Sequence, residues 1–202
     1  YDRTLYSLNV KCEEVYLNTS YGKTHILILG NSSKEKLITL HGGNGMNPLN
    51  IKLFKPLLEK YCIIAPDVIG MPGKSDPYRT LSSSREDYGV WINEIMKLMD
   101  LNEALFVVSS YSAAMMLSLA KIHPERIKKA VLLVPSGIAH GPIFSIISKM
   151  MIPFMKYYIH ATQDNLRGIM HTMITDEDEE WEEFLHLMMS GYKMEMRAPK
   201  EY

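Results

Sequence analysis

The chain of 202 residues is long enough for one domain with a substantial core, and its 47% apolar and 22% charged residues are typical of an ordinary globular protein. Its 22 basic and 23 acidic residues leave a net charge of −1, so charge predicts neither a nucleic-acid partner nor attraction to a membrane surface. No apolar run is long enough to predict a membrane span, and the two cysteines, Cys12 and Cys62, favour reduced thiols and a cytoplasmic location.

The first half of the chain alternates short apolar runs with one amphipathic segment. Residues 13–17 and 25–29 flank a turn and are predicted to form an antiparallel strand pair at a sheet edge. Residues 36–40 and 62–66 are predicted to be buried strands, and the spacing of apolar residues between them predicts a helix over 51–60.

The same alternation continues in the second half. Ser83 and Glu86 are predicted to form a capping box that opens a helix ending near Met99. A strand over 104–109, a helix over 112–122 and a strand over 130–134 follow. Repeated alternation of strand and helix predicts the α/β class, with a mostly parallel, doubly wound sheet and helices on both faces. From residue 138 onward the pattern is helical and holds nine of the 15 methionines.

One segment has the pattern of a nucleophile elbow, Val108-Ser109-Ser110-Tyr111-Ser112. There an apolar strand enters small residues and continues as a helix, which would expose a hydroxyl at the sheet edge beside the helix N-terminus. The turn needs small residues two before and two after the nucleophile. Ser110 has the crowded Val108 before it, whereas Ser112 has Ser110 and Ala114 around it, so local sterics leave both serines as candidates.

Motifs along the whole chain resemble the α/β-hydrolase superfamily, specifically its single-domain esterase-like branch with a helical cap. The matching segments are Tyr1-Asp2-Arg3, Tyr21-Gly22-Lys23-Thr24-His25, Leu40-His41-Gly42-Gly43-Asn44, the loop of residues 67–75, and His123-Pro124-Glu125-Arg126-Ile127 before the strand that includes Val131-Leu132-Leu133. The resemblance implies an α/β-hydrolase core over residues 1–137 and a helical cap or lid over residues 138–202.

The resemblance also sets the register of the elbow. Counting back from Pro124 and forward from Ala104 places the family nucleophile at Ser110. It implies an oxyanion hole made by the backbone N–H groups of Gly43 and Tyr111, which would hold negative charge on the carbonyl oxygen under attack.

Further site residues follow from the same resemblance. His41, Gly42 and Asn44 are expected beside the substrate pocket, with His41 orienting the loop rather than acting as a base. Asp67 is expected to be a turn-former that accepts local N–H groups rather than the triad acid.

The family order of Ser, acid and then His implies that the two remaining triad members come later than the residues in view. The chain is therefore expected to stop, at Tyr202, before both of them. The four histidines of the cap region are expected to be exposed or half-buried helix residues: His140, His160, His171 and His186.

The sequence thus predicts a serine hydrolase, of the carboxylesterase kind, that acts on a small, fairly apolar ester or acyl compound. No cofactor and no metal are implied. The alternatives are a catalytically silent binding or interaction protein, which Val108 favours, and another reaction on the same scaffold. Methionines and aromatics in the cap are expected either to pack it or to line an apolar pocket under a lid. If residues 1–202 were expressed alone, the strand near Val134 would be an exposed sheet edge, which predicts poor solubility or pairing with a second copy.

Overall fold

A six-stranded mixed sheet dominates the computed structural model, which describes residues 1–43, 45–82, 86–136, 138, 144 and 147–171. The described residues up to Ile138 form one compact unit, and those from Phe144 onward belong to a second. The first unit contains, in chain order, α1 (Asp2–Ser7), β1 (Cys12–Thr19), β2 (Gly22–Leu29), β3 (Glu35–Ile38), α2 (Asn47–Phe54), a 3₁₀-helix (Lys55–Glu59), β4 (Tyr61–Pro66), α3 (Asp87–Leu98), β5 (Ala104–Ser109), α4 (Tyr111–Ile122), a second 3₁₀-helix (Pro124–Arg126) and β6 (Ile127–Leu133).

The strand order is β1-β2-β4-β3-β5-β6. β1 pairs with β2, and β2 with β4, in antiparallel register, whereas β3, β4, β5 and β6 pair in parallel. The predicted antiparallel pair at a sheet edge is confirmed, and so is the mostly parallel α/β fold. The carboxyl ends of β3 and β5 lie side by side at the middle of the sheet, which is where ligand sites of open α/β sheets form.

Two hydrophobic clusters cover the two faces of this sheet. Ile38 and Ile64 point into the cluster under α3 and α4, and their neighbours Leu37 and Ile63 point into the cluster under α2. Successive side chains of a strand point to opposite faces, so a central strand buried on both sides has a continuous apolar run. This explains why the sequence pattern located β4 and β5 closely.

Helix α3 is held to both the sheet and α4 by close contacts. The Trp91 indole N–H donates to Thr24 Oγ1 in β2 at 3.0 Å, and both residues are fully buried. The Gly89 N–H donates to Ser118 Oγ in α4 at 3.1 Å. A β-carbon at Gly89 would lie only 2.6 Å from the Ser118 carbonyl, so the two helix backbones come unusually close there.

Three predicted boundaries differ from the structure. The helix expected over 51–60 begins at Asn47 and changes to a 3₁₀-helix at Lys55, because Pro56 has no N–H to continue the α-helical ladder. The strand expected from residue 130 begins at Ile127, where the lysines of an exposed edge strand hide the apolar pattern. Val134 has φ 39°, a left-handed conformation, and β6 ends before it.

The predicted capping box is wrong in its Glu86 half. Glu86 is itself the N-cap of α3, has φ 53°, and makes no side-chain hydrogen bond to the helix N-terminus. Its carboxylate instead pairs with Lys121 of α4. Ser83, the other half of the predicted box, lies outside the described residues.

The described part of the second unit is helical. It contains a π-helical turn (Ile147–Met151), α5 (Ile152–Ile159) and α6 (Gln163–Met170), with α6 capped by Thr162, whose Oγ1 accepts the Asn165 N–H at 3.3 Å. Several of its large apolar side chains are exposed: Phe144, Ile147, Met151, Ile152, Met155, Tyr158 and Ile159. Across the described residues, no helix has the length and apolar character needed to cross a membrane.

Candidate active site

Ser110 is the single residue between β5 and α4, and its backbone is strained. Its φ of 53° and ψ of −124° belong to a region that non-glycine residues rarely occupy, at a cost of about 1–3 kcal/mol. Its side chain is exposed, whereas Val108 is fully buried and pairs with Leu132. The sharp strand-to-helix turn therefore forms with Val108 in place.

Ser112, the other candidate, has a buried hydroxyl with two fixed partners. Its Oγ donates to the Ser109 carbonyl at 2.7 Å and accepts the Ser109 N–H at 2.9 Å. The residue is fully buried in the first turn of α4. Of the two serines, only Ser110 presents its hydroxyl to the outside of the elbow.

The loop after β3 holds one peptide group in a defined orientation. The Gly42 carbonyl accepts hydrogen bonds from His41 Nδ1 and from the Gly45 N–H, both at 3.1 Å. Since C=O and N–H point in opposite directions in a trans peptide, the Gly43 N–H of the same peptide points away from these partners. None of the described residues accepts a hydrogen bond from it.

The peptide after Ser110 has the same arrangement. The Ser110 carbonyl accepts the N–H groups of Ala113 and Ser136, both at 3.1 Å. The opposite end of that peptide is the Tyr111 N–H, which begins α4 and has no intrahelical acceptor. Among the described residues it too has no hydrogen-bond partner.

These two peptides are close to one another. A β-carbon at Gly42 would lie 3.8 Å from Ser110 Cβ, and one at Gly43 would lie 3.7 Å from Tyr111 Cβ. The structure therefore brings Gly42, Gly43, Ser110 and Tyr111 together. Asn44, also predicted beside the pocket, lies outside the described residues.

The Tyr111 side chain rests on a second tyrosine. Its hydroxyl donates to the Tyr88 hydroxyl at 3.3 Å, and the two rings meet edge to face with centroids 5.9 Å apart. Tyr88 lies in the first turn of α3, and burial raises the pKa of its phenol. Sequence reasoning missed this contact because it joins two separate helices.

His41 is buried below the Gly42–Gly43 loop with both ring nitrogens engaged. Nε2 accepts the Val68 N–H at 3.0 Å, which assigns the proton to Nδ1 for the contact with the Gly42 carbonyl. Burial lowers the pKa of His41 and keeps the ring neutral. This geometry fits the expected role of orienting the loop.

Asp67, just before Val68, has more partners than a turn requires. Its carboxylate accepts the local Lys74 N–H at 2.9 Å, as expected of a turn-former. It also accepts the Tyr1 hydroxyl at 2.9 Å and the Asn47 amide at 2.7 Å, and it lies 2.8 Å from His25 Nδ1. All four donors are satisfied by one fully buried carboxylate.

His25 joins Asp67 to a second carboxylate. Its Nε2 lies 2.8 Å from Glu14 Oε2, which also accepts Lys74 Nζ at 2.6 Å. The hydrogen bond from Lys74 lowers the pKa of Glu14, and His25 adds to that effect. No local sequence signal marks His25, because its carboxylate partners lie 11 and 42 residues away.

The described residues hold no base against Ser110. No described side chain hydrogen-bonds the Ser110 hydroxyl, while His25 and His41 are engaged with the partners given above. His160 and His171 are exposed, as expected, whereas His140 and His186 lie outside the described residues. Within the described ranges no group of three or more His, Cys, Asp or Glu side chains is arranged to hold a metal ion.

Comparisons with known proteins agree with this architecture. A family model for the alpha/beta hydrolase fold matches residues 36–167, well over half of the chain. Carboxylesterase YbfK of Bacillus subtilis strain 168 is 29% identical over 139 residues, which cover 67% of this chain and 46% of that protein. The uncharacterized carboxylesterase nap of the same organism is 26% identical over 136 residues, which cover 67% of this chain and 45% of that protein.

Solved structures show the same fold. The crystal structure of carboxylesterase CesB (YbfK) from Bacillus subtilis superimposes with a TM-score of 0.75 and 21% identity, covering 100% of this chain and 68% of that one. That of naproxen esterase from the same organism gives a TM-score of 0.74 and 22% identity, covering 100% and 67%. The chain spans about half the length of the curated relatives it matches. On the match to the family model and the fold that carries it, the chain belongs to the α/β-hydrolase fold family.

Proposed function

We propose that the parent protein is a serine hydrolase of the carboxylesterase kind, with Ser110 as its nucleophile. The observation that carries the proposal is the exposed residue Ser110, at a positive φ, beside two N–H groups without protein acceptors among the described residues. The two Bacillus carboxylesterases among its relatives support acyl transfer as the reaction class.

In this mechanism Ser110 Oγ attacks the ester carbonyl carbon while its proton passes to a general base. The carbonyl π bond opens, and the oxygen becomes an oxyanion. Collapse of this intermediate expels the alcohol, which takes the proton back from the base, and leaves an acyl group on Ser110. A water molecule activated by the same base then releases the acid.

The Gly43 and Tyr111 N–H groups would hold the oxyanion. Both belong to peptides whose carbonyl ends are already fixed by two hydrogen bonds, so neither donor needs to turn when negative charge develops. Such preorganisation is effective, and removing one oxyanion donor typically costs a factor of about 10²–10³ in kcat.

The remaining triad members would follow Ser110 in the chain order of this family, acid first and histidine second. We propose that residues 138–202 belong to a helical cap, as the resemblance implies. An apolar acyl or alkyl substrate is proposed from the methionine-rich, aromatic composition of the residues from 138 onward.

A fluorophosphonate, which phosphonylates activated serines with loss of fluoride, tests the proposal. Fragment-ion mass spectrometry should place the label on Ser110 rather than Ser112, and Ser110→Ala should abolish it. Ser136→Ala is the matched control, because Ser136 contacts the same elbow only through its backbone N–H. Label on another residue, or no label on this chain and on a longer protein that contains it, would contradict the proposal.

A catalytically silent binding protein is the second candidate, favoured because no described residue hydrogen-bonds the Ser110 hydroxyl. The two candidates differ in a direct assay with short-chain nitrophenyl esters. A silent protein would be stabilised thermally by the ester without releasing nitrophenol, whereas a hydrolase would release it.

A further inference from the structure

Ser112 occupies the position where the G-x-S-x-G pattern of this fold has its second glycine. A glycine there has no side chain, so the two hydrogen bonds between Ser112 Oγ and the Ser109 backbone are an addition of this chain. Ser109 directly precedes the strained Ser110, and Ser112 directly follows its neighbour Tyr111.

These hydrogen bonds satisfy backbone groups of Ser109 that the sheet leaves without a neighbouring strand. β3 pairs with β5 only as far as Ile38 and Phe106, after which the chain leaves for the Gly42–Gly43 loop. The Ser110 N–H donates to the Leu133 carbonyl on the β6 side at 3.0 Å. The Ser109 carbonyl, at the other end of the same trans peptide, therefore points to the side that β3 has left.

Ser112 Oγ supplies what the missing strand would have supplied. It donates to the Ser109 carbonyl and accepts the Ser109 N–H, as a β3 backbone would with its own N–H and C=O groups. Both ends of the Ser109–Ser110 peptide are then fixed, one by β6 and one by Ser112.

We propose that Ser112 is a positioning residue that replaces the β3 backbone at the elbow and fixes the peptide from which the Ser110 side chain projects. The inference rests on the proposed function insofar as it assigns the nucleophile to Ser110. It gives Ser112 the opposite of the role suggested by local sterics: Ser112 holds the nucleophile and does not attack.

Ser112→Ala tests the inference, with Ser118→Ala as the matched control. Both serines lie in α4 and bond backbone groups, but Ser118 Oγ accepts the distant Gly89 N–H instead of bracing the elbow. Amide exchange followed by NMR should show the Ser109 and Ser110 amides exchanging roughly tenfold faster or more in Ser112→Ala, and unchanged relative to their neighbours in Ser118→Ala.

Fluorophosphonate labelling supplies the functional readout. The limiting labelling rate at Ser110 should fall about tenfold in Ser112→Ala, while the reagent concentration that gives half of that rate stays unchanged, because the fault lies in aiming the hydroxyl and not in binding. A merely structural role would lower stability in both serine variants and leave both limiting rates alike.

Each outcome decides a separate point. If the Ser109 and Ser110 amides of Ser112→Ala exchange at the same rates as those of Ser118→Ala, Ser112 does not replace the β3 backbone. If they exchange faster but the labelling rate at Ser110 is unchanged, Ser112 does not position the nucleophile. A parent protein that does not label at all would refute the proposed function, and the exchange rates would still decide whether Ser112 replaces the strand.

Discussion

Gly89→Ala is expected to destabilise the protein even though alanine is the better helix former. Gly89 lies inside α3, where alanine would gain about 1 kcal/mol of helix propensity. The structure places the new β-carbon 2.6 Å from the carbonyl carbon and oxygen of Ser118 and 2.8 Å from the Leu119 nitrogen. These are backbone atoms of a packed helix, so no side chain can rotate away to relieve the contact.

The expected magnitude follows from three terms. Forcing α3 and α4 apart costs about 1–3 kcal/mol, as other overpacked cores do. Separation also breaks the hydrogen bond from the Gly89 N–H to Ser118 Oγ, a loss of about 1 kcal/mol that cancels the gain in propensity. The net loss in free energy of unfolding is therefore about 1–3 kcal/mol, which lowers the urea midpoint by roughly 0.5–1.5 M at a slope of about 2 kcal/mol per M.

Urea titrations followed by circular dichroism measure this loss. Gly168→Ala is the matched control, since it is also inside a helix. Among the described residues, apart from its chain neighbours and its own helix backbone, no atom lies within 4 Å of the new β-carbon, so this variant should keep or raise helix stability. A midpoint for Gly89→Ala equal to or above that of the unmodified protein would refute the close approach of the two helix backbones.

Two further predictions concern the buried polar groups beside the site. Burial lowers the pKa of His41, whereas the unfolded chain takes up a proton near the ordinary value of 6.5. The free energy of unfolding should therefore decrease as the pH drops below 6.5, by up to about 1.4 kcal/mol per pH unit. In His41→Gln the amide oxygen can still accept the Val68 N–H. This variant should therefore lack that part of the pH dependence in urea titrations from pH 5 to 7.5. If the difference in free energy of unfolding between the unmodified protein and His41→Gln does not vary with pH, the prediction for His41 is contradicted. Asp67→Asn should cost about 3–5 kcal/mol in the same assay, because it breaks the contact of this carboxylate with His25, in which both side chains are fully buried. Glu14→Gln, which alters the other contact of His25 at a side chain that is 39% exposed, should cost under about 1 kcal/mol, and equal costs would show that burial does not separate the two pairs.

The central strands were predictable because burial on both faces leaves a local mark. β4 and β5 are short, continuous apolar runs, and the pattern places them within one residue of the structure. The start of α2 leaves no such mark. Asn47 opens that helix because its buried amide donates to the Ala65 carbonyl and to Asp67, groups that lie 18 and 20 residues away.

The contacts of the candidate site also differ in whether the sequence could predict them. The resemblance implies that the Gly42–Gly43 loop lies beside Ser110, and in the structure both follow neighbouring parallel strands. The bonds of Ser112 span three residues and belong to a known class of local side-chain to backbone contacts, so the sequence contained that signal. The Tyr1–Asp67 and His25–Asp67 contacts join residues 66 and 42 positions apart, and only the folded chain reveals them.

The buried Trp91 gives this protein an internal optical reporter. Its indole is fully shielded from water and hydrogen-bonded to Thr24 of β2, so its fluorescence emission should be blue-shifted relative to a tryptophan in water. Emission should redden when α3 leaves the sheet. Trp181 is the other tryptophan of the chain, and Trp181→Phe would leave a single fluorophore. The docking of the helix that carries Tyr88 could then be followed in real time, without a label and in the same solution as any enzymatic assay.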